Sequence, residues 1–337
     1  MRDRRYLFLG FLLFWLAAAS AGQDEGALWP EITPYRTGHL KVSPLHEIYY
    51  QLGGNPKGRA VMYLHGGPGG GCSPQDLRYF DPRKFKVVLH DQRGSGLSKP
   101  YGEIRENTTA DLVDDIEKLR KRLRLDRVIL FGGSWGTTLA LAYAEAYPQN
   151  VAGIVLRGVF LATRAEIEHY YHGGTARFYP DVHRELAASL DHPERKDYPA
   201  QLLAKLTSDD PAVRDCYARI WFRYEGRIAL LKRSDELIEA ILRDYDPYAA
   251  AVLENYYMAN ACFLEEGQLL KNAGRLAGIP MVIVNGRYDM ICPPAAADAL
   301  HRLLPRSQLI IVPDAGHAAF EPGIRAELVK AMRRFED

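Results

Sequence analysis

Neither sign of charge dominates this sequence. Its 337 residues carry 43 Lys and Arg against 42 Asp and Glu, a formal net charge of +1. No overall field therefore draws nucleic acid or an anionic membrane surface, and small neutral or zwitterionic ligands fit better. Cysteine is scarce, with four in all: Cys72, Cys216, Cys262 and Cys292. Their spacing gives neither a CxxC pair nor a zinc pattern, and no H-E-x-x-H string occurs, so no metal or other cofactor is expected. A chain of this size does not need disulfides, and the four read as mostly free and buried, with a Cys216–Cys262 bridge left open. Internal repeats and low-complexity runs are also missing.

The start of the chain has an apolar run, but a short one. Arg2, Arg4 and Arg5 precede Tyr6 to Ala19, and Ala19-Ser20-Ala21 has the small-x-small form of a cleavage site. Fourteen apolar residues fall below the roughly 18 expected of a membrane span. The layout is that of a secretory signal peptide over residues 1–21, with an uncleaved anchor as the rival. Cleavage after Ala21 would leave 316 residues with net charge −1, in the periplasm or outside the cell and without stable membrane insertion.

What is present is ordinary globular composition, 47% hydrophobic and 25% charged, which excludes a disordered chain. The length suits one domain carrying an insertion, because single cores stop growing at roughly 250–300 residues. After a polar, Pro-containing lead-in (Trp29 to Pro44), apolar runs at Ala60–Leu64, Lys86–His90, Arg127–Phe131 and Val151–Leu156 read as strands. Helical patterns over Thr108 or Thr109 to Leu123 and over Trp135–Tyr147 alternate with them. On the first helix Leu112, Ile116, Leu119 and Leu123 share one face. This alternation predicts an α/β fold with a mostly parallel sheet and helices on both faces. From about Leu161 to Leu276 it stops, and amphipathic segments punctuated by Pro180, Pro193, Pro199 and Pro211 replace it. The rhythm resumes with Pro280–Asn285, a helix from Pro294, Gln308–Val312 and a helix from Gly323. The division is thus a first core part (22–160), a helical cap (161–276) and a second core part (277–337).

Gly132-Gly133-Ser134-Trp135-Gly136 matches G-x-S-x-G and lies between a predicted strand and a predicted helix, as a nucleophile elbow requires. A sharp turn pushes the Ser134 hydroxyl above the sheet, and glycines at 132 and 136 remove Cβ atoms from a crowded backbone. The hydroxyl needs a base and an orienting acid, which follow it in chain order. His317, in Pro313-Asp314-Ala315-Gly316-His317, and Asp289, in Gly286-Arg287-Tyr288-Asp289, each come directly after a strand, where open α/β sheets place their sites. Asp314 lies only three residues from His317, a poor geometry for reaching its ring. Asp91 reads as an ion-pair partner of Arg93 or as a turn former. The other histidines (39, 46, 65, 90, 169, 172, 183, 192 and 301) read as surface or satisfied core residues. An oxyanion needs two N–H donors, and Trp135 and Gly67 are in position to give them. The glycine run His65 to Gly71 is not followed by Lys-Ser/Thr, which excludes a P-loop.

With these residues assigned, the chain resembles the proline iminopeptidases, serine peptidases of the α/β-hydrolase fold. The strings that carry the resemblance are Gly54-Asn55-Pro56, His65 to Gly71, Asp91-Gln92-Arg93-Gly94, Gly132 to Gly136, Gly286-Arg287-Tyr288-Asp289 and Gly316-His317. The similarity runs from about Trp29 to the C-terminus. It implies a triad of Ser134, Asp289 and His317 and release of N-terminal proline from small peptides with a free N-terminus. It further implies that Glu225 (in Tyr224-Glu225-Gly226) and Glu254 (in Glu254-Asn255-Tyr256-Tyr257) bind the substrate's cationic amine, and that Phe160, Tyr170 and Cys292 line the proline pocket. Three positions depart from the family pattern: Met258 replaces Phe, Ile291 replaces a small residue, and Tyr224 replaces Trp. An esterase or amidase of the same fold, and a secreted binding protein without chemistry, remain as rival readings.

Overall fold

The apolar runs pair into one eight-stranded sheet in a computed structural model that describes residues 26–336. The strands are β1 (Arg36–Lys41), β2 (Glu47–Gly54), β3 (Arg59–Leu64), β4 (Phe85–His90), β5 (Val128–Gly133), β6 (Val151–Arg157), β7 (Met281–Gly286) and β8 (Ser307–Val312). Their spatial order is β1-β2-β4-β3-β5-β6-β7-β8. β1 and β2 pair antiparallel, as do β2 and β4, and every later pairing is parallel. The expected signal peptide at residues 1–21 lies outside the described residues. The lead-in Trp29 to Pro44 is corrected by the structure, since it contains β1. Most of β1 is exposed or half-buried at the sheet edge, so its sequence lacks the apolar run that marked the others.

The period of two in each strand sends neighbouring side chains to opposite faces. Met62, Val88, Leu130, Ile154 and Ile283 enter one buried cluster, while Val61, Val87, Ile129, Val155 and Val282 enter the other. Because both faces are covered, the strands read as continuous apolar runs. Each fully buried side chain of this kind contributes roughly 1.5–3 kcal/mol.

Helices α1 (Thr109–Arg122) and α2 (Trp135–Ala146) follow β4 and β5. A capping box starts α1: the Thr108 hydroxyl accepts from Asp111 N–H, and the Asp111 carboxylate accepts from Thr108 N–H. The face carrying Leu112, Ile116, Leu119 and Leu123 is buried. Between β6 and β7 the described chain has helices and connecting loops but no strand; the α-helices are α3 (Arg164–Glu168), α4 (Thr175–Phe178), α5 (Pro180–Ala188), α6 (Tyr198–Leu206), α7 (Pro211–Ala229), α8 (Asp235–Asp244), α9 (Tyr248–Ala259) and α10 (Gln268–Lys271). α11 (Pro294–Leu303) and α12 (Pro322–Arg333) close the fold. Among the described residues no helix is long and apolar enough to cross a membrane.

Two alternatives that the sequence left open are decided in the core. All four cysteines are free, and Cys216 is exposed on α7 whereas Cys262 is buried, so they form no bridge. Arg93 does not pair with Asp91; its guanidinium grips Asp115 at 2.6 Å and Asp111 at 3.2 Å. Asp91 instead forms a turn, accepting N–H groups from Cys72 at 2.8 Å and Leu97 at 2.7 Å.

Candidate active site

The turn from β5 into α2 carries Ser134 at φ 57° and ψ −125°, a conformation that L-residues rarely adopt. Such backbone costs about 1–3 kcal/mol and persists only where neighbours over-determine it. Here Ser134 N–H donates to Arg157 O at 2.8 Å, and Thr137 returns both its N–H (2.8 Å) and its hydroxyl (2.7 Å) to Ser134 O. The flanking glycines are obligatory. A methyl on Gly136 would run into the carbonyl of Leu64, and one on Gly132 into that of Gly136.

His317 and Asp289 come together over the C-terminal ends of β7 and β8. Asp289 Oδ2 accepts from His317 Nδ1 at 2.8 Å, and its Oδ1 is held by Ile291 N–H (3.0 Å) and Cys292 N–H (2.8 Å). That carboxylate fixes the proton on Nδ1 and leaves Nε2 with a free electron pair. His317 N–H is anchored to Ala229 O at 2.9 Å, where α7 ends. Asp314 is exposed. Sequence reasoning missed Arg157, whose Nη1 lies 3.0 Å from His317 Nε2 and 3.0 Å from His317 O. A guanidinium only donates, so in this state it occupies the electron pair that would receive the serine proton. Its position directly after an apolar strand, shared with Asp289 and His317, was the available signal. Gly158 was also missed, and a side chain there would press on His317 and Asp289.

One cavity gathers most of the predicted site. Ser134, Gly67, Trp135, Phe160, Tyr170, Glu254 and Cys292 line it, and so do Met258 and Ile291, two of the three positions noted above as departures. Among the described residues no hydrogen-bond acceptor takes the backbone N–H of Gly67 or Trp135, as an oxyanion pair requires. Gly66, next to Gly67, lies directly over Ser134, where an added Cβ would sit 3.3 Å from that of Ser134.

Glu254, on α9, is 3% exposed and accepts the indole N–H of Trp221 at 3.0 Å. Burial raises its pKa well above the usual carboxylate range, and the nearby Glu225 raises it further. Glu225, on α7, is not among the residues lining the cavity. The protein packed around its carboxyl pushes its pKa up to about 7, with Arg157 pulling the other way. Desolvation thus keeps both acidic groups from ionising freely. Tyr170, Tyr171, Trp221 and Tyr224 stack around them, and the Tyr224 hydroxyl donates to Tyr170 O. Tyr224, the substitute for Trp, thus supports the pocket wall from behind.

Residues 59–324 match the alpha/beta hydrolase fold family. A probable proline iminopeptidase of Leptolyngbya boryana is 47% identical over 309 residues, covering 91% of this chain and 96% of that relative. Proline iminopeptidases of Xylella fastidiosa and Arabidopsis thaliana are 46% and 44% identical, over 91% and 93% of this chain and 99% and 83% of theirs. Among solved structures, a bromoperoxidase from Bacillus anthracis superposes with a TM-score of 0.63 at 20% identity, covering 90% of this chain and all of that one; at that identity the likeness shows the fold alone. The chain belongs to the alpha/beta hydrolase fold family and, within it, to the proline iminopeptidases.

Proposed function

We propose that this protein is a serine exopeptidase that releases an unblocked N-terminal residue, preferably proline, from small peptides. The observation that carries this reading is the shared cavity, in which Ser134 and the buried Glu254 face one ligand space. A substrate whose ammonium meets Glu225 and Glu254 is thereby placed with its first carbonyl near Ser134. A blocked or internal amide would leave both carboxyls without a cation.

The geometry supports the following chemistry. Once Arg157 has moved off His317 Nε2, that nitrogen takes the Ser134 proton as Oγ bonds to the carbonyl carbon. The oxyanion so formed meets the N–H groups of Gly67 and Trp135. His317 then gives its proton to the departing amine nitrogen and the C–N bond breaks. Water attacks the prolyl ester, His317 takes the water proton and returns it to Ser134 Oγ, and free proline leaves. Asp289 keeps the imidazole oriented and offsets its charge in both halves. Phe160, Tyr170 and Cys292 enclose the ring, with Ile291 and Met258 narrowing the space. Residues 161–276 act as a cap over a core built from 22–160 and 277–337.

The test compares proline 4-nitroanilide with its N-acetylated form, and the wild type with Glu225→Gln and Glu254→Gln. Loss of a hydrogen-bonded charge partner predicts about a 10²–10³-fold fall in kcat/KM for each variant. Equal turnover of blocked and free substrates would instead favour an esterase or amidase. We further propose export, supported by the basic start, the short apolar run and the Ala19-Ser20-Ala21 pattern. Mass analysis of the periplasmic or secreted protein should find Gly22 as its first residue; a full-length chain retained with membranes would count against export.

A further inference from the structure

The string Asp91-Gln92-Arg93-Gly94 has no part in the mechanism above, yet its glutamine touches both sides of the oxyanion pocket. We infer that Gln92 is a positioning residue that locks together the two backbone segments donating to the oxyanion. It is 3% exposed, and every polar group it directs into this region is used. Its Oε1 accepts the indole N–H of Trp135 at 2.9 Å. Its Nε2 donates to His65 O at 2.9 Å, and its backbone N–H donates to His65 Nε2 at 3.0 Å. The orientation of the amide is fixed by chemistry, because an indole only donates and a carbonyl only accepts.

The consequence for the oxyanion donors runs through His65. His65 Nε2 accepts from Gln92 N–H, and its Nδ1 lies 2.9 Å from Gly66 O and 3.2 Å from Gly71 N, so the ring bridges Gln92 and the glycine turn that carries Gly67. Burial pushes the pKa of His65 down to about 4, so the ring stays neutral across the working range. The Gly66 carbonyl accepts from Gly70 N–H at 3.2 Å. It belongs to the same peptide plane as the Gly67 N–H, so fixing one end aims the other. On the opposite side, the indole held by Gln92 is fully buried and packs edge-on against Tyr257 at 4.7 Å between ring centroids. That side chain belongs to the residue whose backbone supplies the second donor. One side chain thus sets the spacing between two donors that come from different strands, β3 and β5.

This inference rests on Gly67 and Trp135 as the oxyanion donors, so its test uses two substrates. Gln92→Met keeps the length and apolar volume but removes both amide bonds, and Trp135→Phe keeps a ring and removes only the indole donor. Both are assayed well below their melting temperatures on proline 4-nitroanilide and on 4-nitrophenyl acetate. Misplacing a donor by a fraction of an ångström predicts a fall in kcat of about 10- to 100-fold for Gln92→Met, with KM changed less than about 3-fold. Trp135→Phe should show a smaller fall of the same kind, and the double variant should be no worse than Gln92→Met. Inhibition by prolinal, whose adduct carries the oxyanion, should weaken by the same factor as kcat, while that by pyrrolidine, which has no carbonyl, should not change. Unchanged kcat and prolinal affinity in either soluble variant would overturn the inference, as would a loss confined to KM and pyrrolidine. A wild type that turned over the ester but not the proline substrate would sink the peptidase reading alone.

Discussion

At Glu225 the proposed binding role would come at the expense of the fold. The carboxyl's ordinary pKa is 4.5, and in the folded protein it is pushed up to about 7. Between those values the unfolded chain has released the proton that the native state still holds. Rising pH therefore favours unfolding across that window, and the penalty is fully present above about pH 7. Glu225→Gln has no proton to lose. Its melting temperature should match the wild type near pH 4 and exceed it by roughly 2–5 °C at pH 8. Thermal scans at pH 4, 5, 6, 7 and 8 check this, and a gap that does not change with pH would refute it. The same substitution should cost activity, so stability and function move in opposite directions at this residue.

Among the elements, the β5–α2 turn is the most tightly specified. Its chemistry was legible in the sequence because the strained serine demands glycines at fixed offsets, and Gly132 and Gly136 stand where bulk is impossible. Gly136→Ala would drive a methyl into the Leu64 carbonyl, which is backbone in a central strand and cannot step aside. Destabilisation of about 2–3 kcal/mol is expected, read as a lower denaturation midpoint together with loss of activity. The central strands were legible for a different reason: buried on both faces, they carry uninterrupted apolar runs such as Val128–Phe131. β1 was not, because an edge strand with exposed Arg36, Thr37 and His39 shows no such run. Arg157 and Gln92 escaped notice too. Each looks like an ordinary polar residue at a strand end, and its role depends on which other strand ends lie beside it.

For the whole molecule, the question is whether the helical segment is a separate body. β6 and β7, between which it is inserted, are adjacent and parallel, Ile154 opposite Met281, so the insertion leaves at the C-terminal end of β6 and crosses back to the N-terminal end of β7. Its packing is nonetheless continuous with the sheet: Trp135, Leu139 and Leu156 share one cluster with Tyr170, Trp221 and Tyr257. Tyr257 also donates to Asn107 Oδ1 at 2.9 Å, across the boundary between the two parts. We therefore expect one calorimetric transition for the whole chain, with residues 161–276 neither stable alone nor removable without aggregation. Two resolved transitions would contradict this. Sequence alone determined the alternation of strands and helices, the elbow around Ser134 and the strand-end positions of Asp289 and His317, because period, turn sterics and chain order are local properties. Tertiary structure alone decided that Arg93 pairs with Asp115 and that Cys216 and Cys262 stay apart. It also decided that Arg157 covers His317 and that Gln92 bonds to both His65 and Trp135. Those are contacts between segments far apart in the chain, and local spacing does not encode the distance between them.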